Sequence, residues 1–83
     1  MNFGKAFETT KAGNMIDRPG WNGKGMYVIA VLKSEIGFLV DGKNEPIARD
    51  IGPFLMLRTV QGEFLPWLPS QSDLFAEDWQ IIE

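Results

Sequence analysis

Phe3, Ala6, Phe7 and Thr10 recur at helical spacing near the start of the chain, behind Asn2 and ahead of Gly13. Asparagine is a good N-cap and glycine suits the end of a helix, so the pattern predicts a short amphipathic helix over residues 3–12. Met15 and Ile16 then read as a short extended return to the core. Arg18-Pro19-Gly20 joins a fixed backbone angle to a permissive residue, the chemistry of a tight turn. The run MYVIAVLK, residues 26–33, is rich in β-branched and aromatic side chains and predicts a strand largely buried on both faces. A second run, IGFLVDGK at 36–43, closes on Asp41-Gly42 as a hairpin-type turn, and KNEPIARDIG at 43–52 reads as a polar loop.

The remaining pattern continues in the same manner. FLMLRTV at 54–60 is a third strand, Gln61-Gly62 turns the chain, and Glu63-Phe64-Leu65 returns antiparallel. Pro66 and Pro69 cannot donate to a ladder, so Pro66-Trp67-Leu68-Pro69 ends that strand. Ser70-Gln71-Ser72-Asp73 holds two candidate N-caps for a brief helical turn at Leu74, Phe75 and Ala76, and residues 79–82 form a last short strand. Together these elements predict an α+β fold: an N-terminal helix plus an antiparallel β-sheet, with a short C-terminal helical turn and a final strand, in one small domain over residues 1–83.

Composition narrows what such a domain does. With 83 residues, folding buries only about 60 to 65% of the surface of the unfolded chain, a thin core. Hydrophobic residues at 45% and aromatics at 12% are enough to fold it. Self-association would bury more, and an interface between copies is a natural place for a pocket. Cysteine and histidine are both absent, which removes disulfides, thiolate and imidazole metal sites, and the usual general base. No apolar run approaches the roughly 20 residues that span a bilayer, and the expectation is a cytoplasmic protein that binds no membrane. The net charge of -3 speaks against duplex nucleic acid as a partner. Charge is uneven: residues 1–26 carry four cations against two carboxylates, while residues 61–83 carry five carboxylates and no cation. A local anion site near Arg18 and Lys24 fits the first half.

Two stretches carry candidate chemistry. WNGKGM, residues 21–26, contains Asn22-Gly23, the commonest two-residue hairpin turn, and can be a turn with Trp21 at the core edge. It can equally be a grip: Gly23 and Gly25 admit a ligand to the backbone, Trp21 offers a face for a base, and Lys24 suits a phosphate. Stacking a base on an aromatic side chain is worth roughly 1–3 kcal/mol whichever base it is. PWLPSQSD, residues 66–73, is a strand end followed by a capped turn, or a place where the Ser70 and Ser72 hydroxyls suit ribose or phosphate oxygens and Asp73 accepts from ribose hydroxyls. Trp79 reads as core. Adjacent Glu77 and Asp78 would point to opposite faces of a strand and cannot act jointly as acid and base, and no metal-ligand spacing stands out. The residues therefore point to a binding module and not to an enzyme.

The helix NFGKAFETTKAG, then RPGWNGKGM, then PWLPSQSDLFAEDW, in that order over nearly the whole chain, resembles the second Thoeris anti-defence protein family of phages and prophages. The resemblance implies a non-enzymatic sponge, without cofactor or metal, that binds and sequesters a cyclic ADP-ribose-type signal made by bacterial TIR-domain defence proteins. Some relatives also hold cyclic di- or oligonucleotides. It implies homo-oligomers, tetramers among them, with pockets between protomers. Carried over by motif, Trp21 stacks on the base; Asn22, Gly23 and Lys24 meet the base edge or phosphates; Met26 lines the pocket floor. Ser70, Gln71 and Asp73 hold ribose hydroxyls, and Arg18 is a further phosphate candidate. A protein-interaction module that inhibits a host enzyme, through an apolar patch at residues 54–57 or Phe75, is the rival reading.

Overall fold

The computed structural model of the protein describes residues 1–21, 24–32 and 52–82. The expected strand at 36–43, its Asp41-Gly42 turn, the loop over 43–51 and the Asn22-Gly23 pair lie outside the described residues.

The first helix, α1 (Phe3–Lys11), starts where the sequence places it, with the Asn2 Oδ1 accepting from the Lys5 amide at 2.9 Å. It ends at Ala12, and Gly13 follows with φ +105°, a left-handed value that glycine takes without strain. Among the described residues five short strands make one antiparallel sheet: β1 (Met15–Asp17), β2 (Tyr27–Val31), β3 (Phe54–Arg58), β4 (Phe64–Pro66) and β5 (Gln80–Ile82). Their order is β4-β3-β2-β1-β5, so the N-terminal strand sits between β2 and the C-terminal one. The second helix, α2 (Gln71–Phe75), precedes β5.

Pro66 closes β4, as the sequence reading expects, and it is tolerated there because among the described residues β4 is an edge strand. One detail differs. The second helix begins at Gln71, three residues before the expected turn. Ser70 is its cap, and Ser70 with Asp73 forms a full capping box: Ser70 Oγ accepts from the Asp73 amide at 3.1 Å while the Asp73 carboxylate accepts from the Ser70 amide at 3.0 Å.

The core lies between α1 and one face of the sheet. Ala6, Ile16, Val28 and Trp79 form its centre, with Phe3, Leu55, Leu57, Trp21 and Trp67 packed around them. Register explains the grouping: Ile16 pairs with Val28 and Val28 with Leu57, so these side chains share a face. Thr10, buried on α1, ties helix to sheet. Its Oγ1 donates to the Asn14 carbonyl at 2.8 Å and accepts from the Ala30 amide at 3.1 Å, bridging the two backbone groups that the next rung of the β1–β2 ladder would have joined.

Candidate functional site

The two tryptophan blocks singled out in the sequence meet in space. After β1 the chain turns at Arg18, whose carbonyl accepts from the Trp21 amide at 3.1 Å across Pro19 and Gly20, and this turn carries the Trp21 indole over the sheet end. There it meets Trp67, which follows β4, and Trp79, which precedes β5. Ring centroids are 6.2 Å apart for Trp21 and Trp67, 5.3 Å for Trp21 and Trp79, and 6.1 Å for Trp67 and Trp79, all edge to face. That geometry aims the positive edge of one ring at the negative face of the next and contributes about 0.5–1.5 kcal/mol per pair beyond burial. Phe3 extends the cluster, with its ring 5.5 Å from Trp79. The expectation that Trp79 is core holds, as it is 2% exposed.

Asp73 is the polar hub of the cluster. Oδ1 accepts from Arg18 Nη1 at 2.8 Å and from Trp21 Nε1 at 3.3 Å; Oδ2 accepts from the Ser70 amide at 3.0 Å and the Ser70 hydroxyl at 2.9 Å. Its backbone carbonyl accepts from Trp79 Nε1 at 3.0 Å. Arg18 turns its Nε to Asp78 Oδ1, also at 2.8 Å, and so binds the start of α2 to the approach of β5. Burial pushes the Asp73 carboxyl up, but the hydrogen bonds from Ser70, Arg18 and Trp21 together outweigh it and hold the group below its ordinary value. Asp78 is held down chiefly by its hydrogen bond from Arg18, and the Arg18 guanidinium is raised by Asp78 and Asp73 in turn.

This placement separates the expected ligand residues into two groups. Arg18, Trp21, Ser70 and Asp73 are brought together, yet they are engaged with one another. Both Asp73 oxygens already accept two hydrogen bonds, Ser70 closes the capping box, and Arg18 is paired twice. Lys24 and Gln71 are exposed, and Met26 is half-buried. Lys24 and Met26 lead into β2 at the end of the sheet where β1 leaves it, because the two strands run antiparallel. Asn22 and Gly23 lie outside the described residues.

Sequence reasoning missed a groove on the other side of Trp67. Phe7 and Lys11 of α1, Ala30 of β2, Leu55 of β3 and Leu68 beyond β4 help to line a mostly apolar space of about 490 Å³. The Lys11 ammonium lies 4.7 Å from the centre of the Phe7 ring and 2.9 Å from Glu8. Phe7, Leu55 and Trp67 come from three elements, so only the fold joins them. Leu68, 90% exposed, stands at its rim, and Phe75 on α2 is 82% exposed. Among the described residues no three carboxylates converge to hold a metal ion.

The class these features define is a small α+β domain, an antiparallel sheet under its N-terminal helix, with a tryptophan cluster at the sheet end and an apolar groove beside it. The family model of the Thoeris anti-defense 2-like domain matches residues 1–82, and the chain belongs to that family. It is similar to a protein of Bacillus phage SP01 described as Thoeris anti-defense 2, with 38% identity over 87 residues that cover 99% of this chain and 94% of that protein.

Proposed function

We propose that the protein counters Thoeris-type immunity as a phage-encoded sponge: it binds a cyclic ADP-ribose-type signal of TIR-domain defence proteins and holds it without cleaving it. The observation that carries this reading is the similarity, over nearly the whole length of both chains, to a phage protein named for anti-Thoeris action. The side chains are compatible with it. A groove of about 490 Å³ lies within the range of roughly 300–1,000 Å³ that holds small ligands, and its walls are mostly apolar, Phe7, Phe54 and Trp67 among them; Trp21, Lys24, Met26 and Gln71 lie outside its lining and would form a separate contact region. Lys24 supplies a cation for phosphate, Gln71 a donor and acceptor for ribose, Met26 apolar lining, and the accessible part of Trp21 a face for a base. Arg18, Ser70 and Asp73 act in this reading as the frame that holds Trp21 and the start of α2, because their polar atoms are committed to each other. Action in the cytoplasm of the infected cell, and assembly into homo-oligomers that close the pocket between protomers, belong to the same proposal.

Isothermal titration of the purified protein with a TIR-derived cyclic ADP-ribose isomer, followed by heat release and chromatography of the ligand, tests it. Binding with intact ligand recovered, weakened by Lys24→Ala and by Gln71→Ala, is the expected result. No binding at tens of micromolar to that isomer or to any cyclic dinucleotide overturns it. Altered ligand on release would make the protein an enzyme. The exposure of Leu68 and Phe75 favours a second reading, a protein-interaction module, whose signature is one stoichiometric host protein captured by the wild type and lost with Leu68→Ser or Phe75→Ser.

A further inference from the structure

WNGKGM ends in a turn whose geometry is controlled from another strand. Gly25 has φ +82° and its carbonyl accepts from Arg58 Nη1 at 2.7 Å. Arg58 is the last residue of β3, opposite Tyr27 on β2 and Phe64 on β4, so these three side chains share a face of the sheet. The guanidinium carbon lies 5.9 Å from the Tyr27 ring centre, and the Tyr27 and Phe64 rings meet edge to face at 6.2 Å. Gly25 makes room for it: a Cβ there would come within 2.7 Å of Nη1, whereas one on Gly62, itself at φ +89°, would lie 3.5 Å from Nη2, an ordinary contact. Among the described residues no carboxylate lies within ion-pair distance of Arg58. Its charge is held by a carbonyl and an aromatic face, and it stands beside the turn that carries Lys24. A planar guanidinium fixed in this way is a rigid strut, which a lysine ammonium on a flexible stem is not.

We infer that Arg58 is a positioning residue for the ligand site. By holding the Gly25 carbonyl it fixes the Lys24-Gly25 turn, and with it the direction from which Lys24 meets an anionic ligand. This rests on the sponge reading for the ligand but not for the turn. Arg58 acts through the turn and does not touch the ligand, so its effect vanishes when Lys24 has already been removed.

Two measurements on the full chain test it. The first needs no ligand: the rate of tryptic cleavage after Lys24, followed by mass spectrometry. Such cleavage samples local opening, and loss of one hydrogen bond should speed it about three- to tenfold in Arg58→Ala, with Arg58→Lys intermediate. An unchanged rate in a folded Arg58→Ala protein overturns the inference. Should Arg58→Ala not fold, Arg58→Lys decides, since a rate equal to that of the wild type would show that the strut holds nothing. The second is a double-mutant cycle on affinity for the cyclic ADP-ribose isomer. Arg58→Ala should weaken binding about tenfold in the wild type and not at all in the Lys24→Ala background. Additive losses overturn the positioning role and make Arg58 a direct contact. A wild type that binds no cyclic nucleotide sinks the sponge reading, while the cleavage rate still decides whether Arg58 holds the turn.

Discussion

Replacing Asp73 by alanine removes one side chain and leaves four donors without their acceptor. Asp73 is 8% exposed, and its carboxylate accepts from Arg18, Trp21 and, twice, Ser70. Breaking a buried pair by deleting one partner costs about 3–5 kcal/mol, because the other charge stays behind unpaired. Arg18 keeps Asp78 and is partly open to water, which brings its share well below that range, to about 1 kcal/mol. The Trp21 indole N–H and the Ser70 amide each lose an acceptor, at about 1 kcal/mol apiece, and half of the capping box goes with them. The sum is a loss of about 3 kcal/mol. For a chain of 83 residues that is about 12–24 °C in Tm, against a total stability of about 4–12 kcal/mol. Circular dichroism melts and urea titrations at one fixed protomer concentration read the change, since any self-association makes Tm depend on concentration. Asp73→Asn keeps one acceptor oxygen and should fall between wild type and alanine. A loss under about 1 kcal/mol for Asp73→Ala, the size of an exposed pair, would refute the account of Asp73 as a buried hub.

Thr10→Val keeps the shape but strands the Ala30 amide and the Asn14 carbonyl, and should cost about 1–3 kcal/mol by urea denaturation. Gly25→Ala should destabilise more than Gly13→Ala: both glycines have positive φ, but only the Cβ at 25 meets Arg58, whereas that at 13 meets nothing. Parallel thermal melts of the two variants decide it. On acidification, Asp73 and Asp78 are carboxylates held below their ordinary value of 3.8, so between the two values the unfolded chain binds more protons than the folded one. Their contribution is therefore complete above about pH 4 and is lost as pH falls through the depressed values, and Asp73→Asn should flatten the decline of Tm with pH in that range.

Much of the fold was legible because its signals are local. Asn2 and Gly13 delimit α1, a β-branched run marks β2 and an apolar run β3, and Ser70 and Asp73 sit at capping-box spacing, although the helix they begin lies a turn earlier than the apolar residues suggested. The meeting of the two tryptophan blocks was legible only as a resemblance, since nothing local says that Trp21 lies against Trp67 and Trp79. The role of Asp73 was the least accessible. An aspartate near a helix start looks like a free acceptor until Arg18 and Trp21, 55 and 52 residues away, fill one of its oxygens. Arg58 did leave a trace, as the one charge within the apolar run FLMLRTV, and a lone arginine in such a strand is a sign that its head group holds something. The groove left none, because its walls come from elements that only the sheet order brings together.

The sheet order also governs when the protein can fold. Strand β1 takes its outer partner from residues 80–82, and the core takes Trp79 from the same segment. A nascent chain that has emerged as far as β4 has α1 and β1 to β4, but Arg18 and Trp21 still lack Asp73, and the space for the Trp79 indole is unfilled. Loop closure across more than 60 positions must come before those contacts reward it, which slows folding relative to a domain built on local pairs. During that interval the exposed edge of β1 and the uncovered indoles are open to other chains. The rate at which residues 79–82 dock would then set how quickly newly made copies complete their core.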